Sequence, residues 1–216
     1  RGLPLKPCCS PMGSPVQLTS PLSPVPRSQL LMENPLIMAN SCTLHHVFHT
    51  PLDADFEASG FRLALFGLGC FWGAERRFWQ IGASRGVVST AVGYAGGSSE
   101  NPTYDAVCSG GTGHAEVVRV VYDPKLMDYE RLLQVFWSAH DPTVRNPKSD
   151  GDGWQYRSVV FVYDEAQREA AEASKAEKER EMREKYEGVV LTEVREAPMF
   201  WFGEEYHQQY FAKMWS

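Results

Sequence analysis

The chain has 216 residues, 43% hydrophobic and 12% aromatic, which is enough for one domain with a sizeable core plus an extension. A formal charge of −6 without any Lys/Arg-rich tract argues against nucleic acid or an anionic membrane surface as the main partner. No apolar stretch has the length of a membrane span, and five cysteines without C-x-x-C spacing suggest neither a disulfide framework nor a metal site, so a reducing compartment is expected.

Residues 1–50 are rich in Pro, Ser and Leu and set Arg1, Lys6 and Arg27 against one acid, Glu33. Such a segment cannot bury enough surface to fold alone, and its Ser-rich, acid-poor make-up is that of an organelle transit peptide. The expectation is a disordered extension over 1–50 and a folded domain over 51–216. The chain would then act in a chloroplast or another organelle if the extension is an address, and in the cytoplasm otherwise.

From Phe61 the pattern is dense. Phe61 to Phe66 reads as a strand and Phe71 to Ile81 as a helix, with Phe71, Phe78 and Trp79 at near-helical spacing. Gly86 to Val92 is a β-branched strand leading into the glycine-flanked Tyr94 and a polar loop through Cys108 to Gly111. Val117 to Tyr122 is a third strand, after which Asp128 caps a helix with Leu132, Leu133, Phe136 and Trp137 on its apolar face. A loop from Asp141 to Gly153 precedes the strand Val159 to Val162. A long Ala/Glu/Lys/Arg helix then starts at Asp164 or Glu165, and its charge run reads as a solvated cover. Val189 to Val194 is the last strand and Glu204 to Met214 the last helix. Interleaved strands and helices without an internal linker predict one α+β domain, a sheet with helices laid on it.

Phe66-Gly67-Leu68-Gly69-Cys70-Phe71-Trp72-Gly73 delivers a cysteine from a strand to a helix start. Unpaired N–H groups and the helix dipole favour a thiolate there, which makes Cys70 the candidate nucleophile. A packed thiol at a strand–helix junction is the alternative that position alone leaves open. The richest polar group elsewhere is Gly113-His114-Ala115-Glu116. His114 beside Cys70 would make the thiolate–imidazolium pair of a cysteine hydrolase or acyltransferase. Glu116, buried at a strand head, would instead stay protonated and serve as an acid. Tyr94 and Tyr156 combine a ring with a hydroxyl donor, and Phe71 and Trp72 are core residues by periodicity. Asp150 and Asp152, next to glycines, read equally as turn residues.

Taken together, Gly69-Cys70-Phe71-Trp72-Gly73-Ala74-Glu75, Gly93-Tyr94-Ala95-Gly96-Gly97, Asn101-Pro102-Thr103-Tyr104, Gly113-His114-Ala115-Glu116, Gln155-Tyr156-Arg157 and Glu205-Tyr206-His207-Gln208-Gln209-Tyr210 closely resemble the peptide methionine-(S)-sulfoxide reductase family, A type. The ordered set spans most of residues 61–210. The resemblance implies a two-layer α/β sandwich of ferredoxin-like type, with a mixed sheet and surrounding helices. It implies Cys70 as nucleophile on the sulfoxide sulfur, Glu116 as acid, Tyr94 and Tyr156 as donors to the oxygen, and Phe71 and Trp72 around the substrate methyl. Substrates would be oxidised proteins or free methionine sulfoxide, with no cofactor beyond an external thiol such as thioredoxin, glutaredoxin or glutathione, and the protein a monomer. The family's usual substrate-binding Asp falls on Gly151, which leaves Asp150 or Asp152 to take its place. The family's glycine-rich tail with resolving cysteines is not matched before the chain stops at Ser216, so a one-cysteine cycle is expected. A binder of oxidised methionine without turnover is the other reading the altered loop leaves open.

Overall fold

The computed structural model describes residues 43–144, 153–185 and 188–214. Alternation along the strands decides the architecture. In β1 (Arg62–Gly67), Ala64 and Phe66 face one side and Leu63 and Leu65 the other, and all four are buried, so both faces of the sheet are covered. It is joined by β2 (Val87–Ala95), β3 (Ala115–Tyr122), β4 (Val159–Val162), β5 (Glu193–Glu196) and β6 (Phe200–Phe202). The strand order is β5-β4-β1-β3-β2-β6, antiparallel except for the parallel pair β4 and β5.

Helices α1 (Phe71–Trp79), α2 (Tyr104–Cys108), α3 (Tyr129–Ala139), α4 (Glu165–Lys185) and α5 (Tyr210–Lys213) complete an α+β domain with a mixed sheet. α1 and α3 cover the Ala64/Phe66 face. Phe78 of α1 and Phe136 of α3 bring their ring centroids to 5.3 and 5.5 Å from that of Phe66. Asp128 starts α3 as expected, accepting the N–H of Arg131 at 2.9 Å. α4 carries the expected exposed ion pairs, Lys185 with Glu181 among them, and buries only Gln167, Ala171 and Met182. On the opposite face Leu65 and Phe161 meet Leu52, Phe200 and Phe202, and the buried Arg119 guanidinium lies 5.0 and 4.6 Å from the two last rings.

Four expectations need correction. The folded unit does not begin at residue 51: Leu44 bridges to Pro51, and His45 is fully buried with its Nε2 2.9 Å from Thr90 Oγ1. The final helix is not continuous, because a 3₁₀ turn over Glu205–His207 is cut off from α5 by Gln209 at φ 47°, a left-handed conformation no helix can contain. Regular strand pairing in the Val189 to Val194 stretch starts only at Glu193, α2 arises within the stretch expected as a polar loop, and β6 lies between the last expected strand and the last expected helix.

Candidate active site

The chain leaves β1 through Leu68 and Gly69, whose φ of 97° costs a side chain and is free to glycine. That turn sets Cys70, partly exposed, as the N-cap of α1, with its sulfur at the positive end of the helix. Glu116 is the second residue of β3 and is 1% exposed. It shares the helix-covered face with Val118 and Val120, and its Oε2 accepts the N–H of Phe71 at 3.0 Å. A carboxyl group is thereby fixed to the first backbone donor after the thiol. Register adds the next group: Tyr94 of β2 lies directly opposite Glu116 of β3.

Tyr94 is fully buried, and its hydroxyl donates to Glu204 Oε2 at 2.8 Å. Burial, followed by that hydrogen bond and the Glu204 and Glu116 charges, holds its pKa far above the ordinary tyrosine value. Tyr156 sits half-buried on a 3₁₀ turn, Trp154–Tyr156, entered through the left-handed Gly153. Arg157 ties this turn down by donating to the carbonyls of Trp154 and Gly113, both at 3.1 Å. Burial also raises the Tyr156 hydroxyl, with Glu116, Cys70 and Cys108 adding to it, so these three groups are its electrostatic neighbours. Both tyrosines therefore keep their protons near neutral pH.

The aromatic wall is continuous. Trp72 stacks on Tyr210 at 3.9 Å between centroids and donates its indole N–H to His207 Nδ1 at 2.9 Å. The His207 ring also lies 5.0 Å from Phe71 and 4.6 Å from Tyr104. Phe71 is buried and Trp72 half-buried, so the pair is both core and wall.

His114 does not serve Cys70. Its Nδ1 accepts the N–H of Gly97 and its Nε2 donates to the carbonyl of Ser99 at 2.8 Å, which uses both nitrogens. Burial pushes it below the usual histidine range, and it acts as a neutral brace for the Gly97–Ser99 loop. Asp150, Gly151 and Asp152 lie outside the described residues, as do Cys8, Cys9 and Cys42; Cys108 is exposed at the end of α2.

Sequence reasoning gave no role to Glu75, Glu204, His207 or Arg157. Glu75 lies deep on α1, accepting from Thr90 Oγ1 at 2.9 Å and from both the backbone N–H and Nε2 of Gln209 at 2.8 Å. It thereby anchors the helix that carries the thiol to the last segment of the chain. Its segment, like those of His207 and Arg157, lay within the motifs noted, but the functions of these side chains depend on partners far along the chain.

A family model described as peptide methionine sulfoxide reductase matches residues 62–216. A peptide methionine sulfoxide reductase MsrA of Azotobacter vinelandii is 54% identical over 169 residues, covering 78% of this chain and 76% of its own length. A second, from Synechocystis, is 47% identical over 192 residues, 87% of this chain and 85% of its own. Among solved structures, methionine sulfoxide reductase A of Corynebacterium diphtheriae matches with a TM-score of 0.71 at 33% identity, over 80% of this chain and 82% of that chain. Since the family match runs from the first strand through the last helix and the relatives agree with it, the chain belongs to the peptide methionine sulfoxide reductase family, A type, and is an oxidoreductase that reduces methionine sulfoxide.

Proposed function

We propose that Cys70 attacks the sulfur of methionine-(S)-sulfoxide, free or in oxidised proteins, while Glu116 protonates the oxygen. The observation that carries this reading is the bond from the Phe71 N–H to Glu116, which holds an acid beside the thiol at the start of α1. A sulfoxide oxygen leaves poorly until it is protonated, and donors aimed at it stabilise the charge that grows there. Tyr94 and Tyr156 are those donors, and the Phe71 and Trp72 rings take the methyl group. The sulfoxide sulfur gains two electrons and the Cys70 sulfur loses two, giving methionine and a sulfenic acid on Cys70.

An external thiol, from glutathione or a thioredoxin- or glutaredoxin-like protein, attacks that sulfenic acid, releasing water and leaving a mixed disulfide. A second thiol then frees Cys70. Asp150 or Asp152 completes the substrate site, and the protein works as a monomer. The same reading takes the run β4-β1-β3-β2, with α1 and α3 as crossovers, as a ferredoxin-like sandwich. The Ser-rich, acid-poor segment that leads the chain serves as an organelle address.

Single turnover without reductant tests the chemistry. One equivalent of methionine from the (S) epimer, none from the (R) epimer, and a dimedone adduct on Cys70 are expected, with Cys70→Ser binding substrate but forming no product. An intramolecular disulfide after that turnover would overturn the one-cysteine cycle, and turnover by Cys70→Ser would overturn the assignment of the nucleophile.

A further inference from the structure

Tyr94 has one hydroxyl proton, and Glu204 holds it. The same carboxylate accepts the N–H of Tyr104 through its other oxygen, at 2.8 Å. A phenol that donates to Glu204 can only accept from anything else, whereas a sulfoxide oxygen is itself only an acceptor. For Tyr94 to donate to the substrate, Glu204 must therefore lose that bond. Removing a hydrogen bond from a partly buried carboxylate has a cost, and a second donor within reach offsets it.

His207 offers the replacement. Its Nδ1 accepts the Trp72 indole N–H, which places the single proton of the neutral ring on Nε2. Burial pushes the ring below the usual histidine range, so a second proton is disfavoured. That Nε2 is buried, on a side chain 1% exposed, and has no hydrogen-bond partner among the described residues. The carboxylate oxygen facing it is Glu204 Oε2, at 3.9 Å, the same oxygen that takes the Tyr94 proton. A separation of 3.9 Å is too long for a hydrogen bond, and closing it by about 1 Å would make one.

We propose that Glu204 and His207 form a donor exchange: the His207 Nε2–H moves onto Glu204 as the Tyr94 hydroxyl turns from Glu204 to the sulfoxide oxygen. Both are positioning residues, acting through Tyr94. The exchange connects the two halves of the site, because His207 is held by Trp72, the ring assigned to the substrate methyl. Through the Trp72–His207 bond, occupancy of the methyl pocket is coupled to the release of the donor for the oxygen. The inference rests on the assignment of Tyr94 as an oxygen donor.

The test is the single-turnover rate of methionine formation at saturating (S)-sulfoxide for Tyr94→Phe, His207→Met, His207→Gln and the double variant Tyr94→Phe/His207→Met, with thermal unfolding as the folding control. His207→Met keeps volume but removes both the Nε2 donor and the Nδ1 acceptor of the Trp72 N–H; loss of the acceptor weakens substrate binding whichever residue stands at position 94, and loss of the donor lowers the rate at saturation by about tenfold or more. His207→Gln can accept from Trp72 and donate to Glu204, and it should restore most of the rate. In the Tyr94→Phe background there is no proton to release, so the donor's share of the loss should vanish and His207→Met should cost far less at saturation than it does beside Tyr94. A multiplicative loss in the double variant overturns the exchange while leaving Tyr94 in its role. A Tyr94→Phe variant as fast as wild type overturns the assignment of Tyr94 and the exchange with it. If His207→Met does not fold, Glu204→Gln replaces it in the cycle: its rate effect must vanish in the Tyr94→Phe background, and a persisting effect or none at all overturns the proposal.

Discussion

Replacing Glu75 by Gln separates two opposed influences on one buried carboxyl group. Burial disfavours its anion, while Gln209 and Thr90 donate three hydrogen bonds that favour it; burial wins, and the pKa is raised from 4.5 to about 7. In the unfolded chain the group loses its proton near 4.5, whereas in the folded protein it keeps it to about 7. Its contribution to stability is thus fully present below pH 4.5 and is lost as pH rises to 7. The loss amounts to about 3 kcal/mol at 1.36 kcal/mol per unit, or roughly 6–12 °C in melting temperature for a domain of this size. Glu75→Gln abolishes that titration. It also turns an amide N–H₂ toward the Gln209 donors, a pH-independent cost of about 1–3 kcal/mol. Urea unfolding of both proteins between pH 4.5 and 7.5 is the assay, read as the difference between them so that shared titrations cancel. The wild type should lose ground against Glu75→Gln steadily across that range. A difference that stays flat, or grows in favour of the wild type with pH, refutes the reasoning.

Other substitutions probe packing, backbone and the role of the imidazole. Phe78→Ala removes a fully buried ring stacked on Phe66 and should cost about 3–5 kcal/mol, seen as a lower urea midpoint at unchanged slope; a loss under about 1 kcal/mol would contradict the packing. Gly69→Ala forces a Cβ onto a residue at φ 97°, costing about 1–2 kcal/mol and displacing the N-cap. Cys70 should then react more slowly with iodoacetamide, and an unchanged rate would show that the turn does not place the thiol. His114→Ala should lower stability by about 1–3 kcal/mol by stranding Gly97 and Ser99, with Cys70 alkylation unaltered; a collapse of thiol reactivity would return the imidazole to the chemistry.

The thiol was legible because every signal for it is local: an apolar run, a glycine turn and a helix start within about ten residues. The sheet was legible for the same reason, from alternation and turn residues. The encounter of Tyr94 with Glu116 was not, because it depends on the register between β2 and β3, which no short window contains. Glu204 lies 110 residues from Tyr94 and 100 from Tyr104, and a Gly-Glu-Glu stretch has no period that points to a buried hydroxyl. The broken final helix has a similar origin. Tyr206, Tyr210 and Met214 are spaced as on one helix face, but Gln209 is turned into the left-handed region where its backbone and side chain both reach Glu75 on α1. A tertiary contact overrides the local period there. At the other end, composition averaged over residues 1–50 concealed His45, a single imidazole that is fully buried in the domain.

That imidazole sets a limit on truncation. Its Nδ1 accepts the N–H groups of Val47 and Phe48, so its Nε2 proton goes to Thr90, whose own proton goes to Glu75, and Glu75 holds Gln209. The line runs from the leading segment, through the back of the helix bearing Cys70, to the closing segment of the chain. Cleavage before Thr43 leaves it whole. Truncation at residue 50, where the change in composition puts the domain boundary, would strip the Thr90 hydroxyl of its donor and open a water path to a carboxyl group that the fold keeps dry. An experimenter choosing where to truncate therefore has to stop upstream of a histidine that lies outside the proposed substrate site.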